Sequence, residues 1–74
     1  MVMTPTLRRV KSLASQTYPG KKVVLWKALG SLTVDVHLSR NHRVSAFGSN
    51  PTRLLRNFRD TIEWAKTFRE LYLG

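Results

Sequence analysis

Arg53, Arg56 and Arg59 recur every third residue, starting two residues after Asn50-Pro51. Asn is a favoured helix N-cap and Pro fits the first helical position, so these arginines fall in the opening turns of a helix. Ser49 is an alternative cap. Positive charge there opposes the helix macrodipole and costs about 0.3–1 kcal/mol per unscreened cation. An anion reverses the sign, because guanidinium groups and free backbone N–H groups would then address one phosphate together. The competing arrangement is a solvated face on which Arg56 meets Asp60 and Arg59 meets Glu63 at i,i+4. That pairing has the base N-terminal to the acid, the weaker orientation. Arg53 and Arg56 are therefore the expected phosphate contacts. Arg59 ranks below them because Glu63 is close by.

Two more basic groups lie in the middle of the chain, Lys21-Lys22 and Arg40-Asn41-His42-Arg43. In an antiparallel meander the first strand starts where the second finishes, so Lys21, Lys22, Arg40 and Arg43 would gather at one end of the sheet. Such convergence suits a grip on a nucleic-acid backbone, although loop cations also serve solubility. Arg8, Arg9 and Lys11 sit in the first helix, where a solvated face accounts for them as well as a ligand does. His37, with Asp35 two residues away, has the types needed for acid–base cleavage of RNA. Side chains at i and i+2 of a strand share a face but stand about 7 Å apart, at a rise of roughly 3.3 Å per residue, beyond direct hydrogen bonding. His37 and His42 therefore read first as surface histidines. Ser12, Ser15, Ser31 and Ser45 have no base or oxyanion framework, and no glycine-rich phosphate loop, HExxH or acidic metal cluster occurs. The expectation is a non-enzyme with no metal and no cofactor.

The whole chain supports a polyanion partner. Thirteen Lys and Arg against four Asp and Glu leave a formal charge of +9 on 74 residues. Such a field draws in nucleic acid or an acidic surface and gives binding that weakens with salt. A disordered basic tail is the competing explanation, but hydrophobic residues make up 42% of the chain, and disorder needs low hydrophobicity beside high charge. The length allows one domain, 1–74, with a small core. Absent cysteine removes disulfides and fits a reducing compartment, no apolar run approaches a membrane span, and residues 1–5 are too short for a secretory segment, so a cytoplasmic location is expected.

Five elements would position these residues. Thr4-Pro5 opens a helix over 4–17 with Leu7, Val10, Ala14 and Tyr18 on one stripe, and Pro19-Gly20 ends it. Strands follow at about 21–29, 32–39 and 43–47. In the second, Leu32, Val34, Val36 and Leu38 alternate with Thr33, Asp35, His37 and Ser39; in the third, Val44 and Ala46 face inward. A last helix over 51–73 carries Leu54, Phe58, Ile62, Ala65, Phe68 and Tyr72 as its stripe, with Arg56, Arg59, Glu63, Lys66 and Glu70 opposite. The fold class is α+β, order α-β-β-β-α, with a three-stranded antiparallel sheet and both helices on one face.

The other face would carry Thr33, Asp35, His37, Arg43, Ser45 and Phe47, and the first strand's share depends on register. A two-residue Gly30-Ser31 turn sends Val24 and Trp26 outward, completing an aromatic and basic platform for stacking bases. A loop one residue longer turns Trp26 inward and sends Val23, Leu25 and Lys27 outward, a surface suited to a protein or a second copy. Lys27 is awkward inside, which favours the second register.

The element order and the basic helix start resemble the double-stranded-RNA-binding domain family over nearly the whole length. That family's Lys-Lys-x-Ala-Lys start of the last helix is replaced by Asn50-Pro51-Thr52-Arg53-Leu54-Leu55-Arg56, and its alanine-rich continuation by Asn57-Phe58-Arg59-Asp60. A small toxin ribonuclease family of the same topology places a histidine just after a Gly-Ser turn, where this chain has Leu32 after Gly30-Ser31. The likeness is topological, and topology does not carry function.

The expected function is binding of nucleic acid, DNA or RNA, mainly through the phosphate backbone and with weak sequence selectivity. The expected contacts are Arg53, Arg56, Lys21, Lys22, Arg40 and Arg43. The alternative is a protein-binding adaptor or inhibitor that meets an acidic partner, or a second copy, through the open sheet face or an edge strand. A histidine-dependent ribonuclease ranks third.

Overall fold

A computed structural model describes the backbone of residues 3–72 and the side chains of residues 3–68. It contains α1 (Pro5–Thr17), β1 (Lys22–Ala28), β2 (Ser31–Ser39), β3 (His42–Gly48) and α2 (Pro51–Tyr72), in that order. The expected residue 73 of the last helix, and the side chains of Glu70 and Tyr72, lie outside the described residues.

Local chemistry sets both helix starts. Thr4 Oγ1 accepts from the Leu7 N–H at 3.1 Å, with Pro5 in the first turn. Asn50, not Ser49, caps α2: its Oδ1 accepts from the Arg53 N–H at 2.9 Å. Each cap satisfies an orphan donor of the first turn. Tyr18 closes α1 by donating its N–H to the Ala14 carbonyl at 2.8 Å.

The sheet is antiparallel in the order β1-β2-β3. Its core face and the two helices bury Leu7, Val10 and Ala14 from α1, Leu32, Val34 and Val36 from β2, Ala46 from β3, and Leu54 and Phe58 from α2. At Gly48 the first turn of α2 comes tightly against the sheet. A Cβ there would stand 2.5 Å from the Leu54 nitrogen and 2.8 Å from the Arg53 carbonyl carbon. Only glycine allows the first turn of α2 to rest on the end of β3.

The first hairpin differs from both expected loops. Ala28 pairs with Ser31, so the tip is Leu29-Gly30, and both tip residues have positive φ, 52° and 77°. This is the pattern of a two-residue type I′ turn. The side-chain faces are those of the shorter expected loop, since a shift of two keeps the parity: Trp26 lies opposite Thr33 and points away from the core. The register favoured on account of Lys27 is therefore corrected. Lys27 does pair with Leu32 on the core side, yet it is exposed, at the rim beside Thr4, Leu7 and Pro51. Its stem can follow apolar surface while the ammonium reaches water.

Candidate nucleic-acid interface

α1 and α2 run side by side in the same direction, and the groove between them collects arginines. At their N-termini, Thr4 and Thr6 of α1 meet Asn50, Pro51, Thr52, Arg53 and Arg56 around an open cleft of about 530 Å³. Further along, Arg8, Arg9, Ser12, Leu13 and Gln16 of α1 meet Leu55 and Arg59 of α2 around a cleft of about 330 Å³. Five guanidinium groups thus line consecutive turns of one groove, and among the described residues neither lining contains a carboxylate. All five residues are exposed. Among the described residues there is no salt bridge, so Arg56 is not paired with Asp60 nor Arg59 with Glu63. Both helix N-termini add their positive dipole ends to the first cleft.

Arg53 and Arg56 therefore share a site. Arg8, Arg9 and Arg59 line the next cleft along, a convergence the periodicity alone did not reveal. One signal was present: Arg9, pointing away from the α1 stripe, falls on the same side of the helix as Leu13 and Gln16. The capping hydrogen bond from the Arg53 N–H to Asn50 occupies a donor otherwise open to an anion, which leaves the side chains as the principal anion-binding groups of this turn.

Lys21, Lys22, Arg40 and Arg43 lie elsewhere. Lys22 pairs with His37, and His37 with Arg43, so these three form a row across the far end of the sheet on its open face. Lys21 precedes that row. Arg40 sits in the β2–β3 turn, around an open hollow with His37, Ser39, Asn41, His42 and Arg43. This end is on the order of 15–20 Å from Gly48 and the start of α2, taking about 3.4 Å per strand residue along β3. The six expected contacts are thus two groups at opposite ends of the sheet.

Two other rows complete the open face: Val24–Asp35–Ser45, then Trp26–Thr33–Phe47. Asp35 is only 7% exposed. Trp26 Nε1 donates to its Oδ2 at 2.6 Å and Ser45 Oγ donates to its Oδ1 at 2.5 Å. Burial alone would raise the Asp35 pKa. The hydrogen bonds from Ser45 and Trp26, with the charges of Arg43 and His37, outweigh it and hold the carboxyl below its ordinary value. The Asp35 oxygens are thus committed to Ser45 and Trp26 rather than to orienting His37. Among the described residues no helix is long and apolar enough to cross a membrane, and no group of three His, Cys, Asp or Glu side chains gathers as a metal site.

No family model, no curated protein and no solved structure matches this chain.

Proposed function

We propose that the protein binds nucleic acid through its phosphate backbone, with the α1/α2 groove as the principal grip. The supporting observation is the run of five exposed arginines from two helices along one groove whose lining, among the described residues, holds no carboxylate. Guanidinium groups donate in a planar fork that matches phosphate oxygens, and such contacts fix a protein on a polyanion without reading sequence. The cationic row at the far end of the sheet would be a separate, weaker contact.

The test is a salt titration of binding to duplex DNA, duplex RNA and single strands. Arg53→Ala with Arg56→Ala should weaken binding across all sequences and lower the log–log salt slope by about one per lost phosphate contact. The melting temperature should stay level or rise slightly, since two cations that oppose the α2 dipole are gone. Unchanged affinity in the double variant removes the groove from the proposal. An acidic protein partner is the alternative, favoured by the exposure of Trp26 and Phe47 on the sheet; a partner retained in a pull-down after nuclease treatment would favour it.

A further inference from the structure

We infer that the open sheet face receives the bases of an unpaired nucleic-acid strand. The inference rests on the nucleic-acid reading above and assigns it a strand class. Trp26 and Phe47 flank Thr33 on either side, which sets their Cα atoms about 10 Å apart at the usual inter-strand spacing. They are 43% and 67% exposed, although large aromatic groups are ordinarily well buried. An aromatic ring stacks on any base, and an unpaired strand can splay its bases onto a protein surface whereas a duplex keeps them stacked within. Trp26 is also held in place, because its indole N–H donates to the buried Asp35. Ordering that ring is therefore already met in the free protein, which favours binding.

Charge on the same face suits the same ligand. Lys22, His37 and Arg43 form a row four residues along the strands from the aromatic row, about 13 Å away, where phosphates of a strand lying on the sheet would pass. Asp35 stands between the rows, but both its oxygens accept hydrogen bonds, so it does not meet a phosphate as a bare carboxylate. A second copy fits less well: it would set this cationic row against another chain that also carries +9.

Fluorescence anisotropy of the full chain on a labelled single strand of about 16 nucleotides, and on its duplex, tests the inference. Phe47→Ala, at a side chain mostly in water, should weaken single-strand binding about five-fold or more, the loss of one stacked base, and leave duplex binding unaffected. Phe47→Trp should restore the single-strand affinity. In a Trp64→Phe background the single strand should quench the emission of Trp26. Equal losses on both probes, no loss on the single strand, or no quenching would overturn the inference, while salt-dependent duplex binding would leave the groove reading standing. Binding to neither probe by the unaltered chain would sink both. A dimer that dissociates on Phe47→Ala with strand affinity unchanged would assign the face to a second copy instead.

Discussion

Along the α1/α2 groove, Arg8, Arg9, Arg53, Arg56 and Arg59 stand in water with no ion-pair partner among the described residues. On the open sheet face, Arg43 and His37 lie beside a buried acid that Trp26 and Ser45 cover. Both regions are cationic, but only the second holds a charged group, the Asp35 carboxylate, by hydrogen bonds within the fold. Arginines of the groove can be removed with little structural consequence, so changes there report on ligand alone. Changes on the sheet alter stability and ligand together, unless they fall on a side chain as exposed as Phe47.

Gly48 is the place to break that contrast, since it is where the groove depends on backbone packing. Gly48→Ala forces a Cβ against the backbone of Arg53 and Leu54, which cannot yield as a flexible side chain would. The expected cost is about 2–3 kcal/mol, the upper part of the overpacking range. Both melting temperature and polyanion affinity should fall; an unchanged melting temperature would mean that α2 is not seated on β3 there.

Asp35→Ala sharpens the contrast from the other side. It leaves the Trp26 N–H and the Ser45 hydroxyl without their acceptor and should cost about 1–2 kcal/mol, with a shift in Trp26 emission and the groove's duplex affinity retained. The pH dependence has a definite sign. The folded pKa of Asp35 is depressed, so its contribution is fully present above the unfolded value of about 3.9 and is lost as pH falls through the folded value. Acid titration should therefore destabilise the native chain more than Asp35→Asn; parallel curves would contradict the network.

Leu29 gives the smallest effect, with the opposite sign. It is fully exposed and has φ of 52°, in the left-handed region where a Cβ-bearing residue is strained. Leu29→Asn creates an Asn-Gly tip suited to this turn and should raise stability by about 0.5–1 kcal/mol. A loss of stability on chemical denaturation would show that the leucine has a contact worth more than its strain.

The element order and both helix starts were legible because they depend on neighbours in the chain. Thr4-Pro5 and Asn50-Pro51 act as caps within three residues, and the alternation from Leu32 to Val36 declares one buried face of β2. The hairpin tip was not legible, because Leu29 is a poor residue for positive φ and local preference pointed to Gly30-Ser31. Pairing along the whole of β1 and β2 overrode that preference. Lys27 misled for a related reason: its side of the strand is the core side, but its position at the rim beside the helix starts lets it reach solvent.

Which arginines share a groove was decided in three dimensions. Arg53 and Arg56 stood out by their place in a helix start, whereas Arg8 and Arg9 joined Arg59 only because α1 packs alongside α2 in the same direction. The chain by itself determined its charge, its five elements and the capping of its helices, since composition, periodicity and hydrogen bonds over three residues need no distant partner. The exposure of Trp26, the burial of Asp35, the seat of α2 on Gly48 and the separation of the basic residues into two groups came from the tertiary structure. Each depends on strand register or helix packing between residues far apart in sequence, which no local pattern encodes.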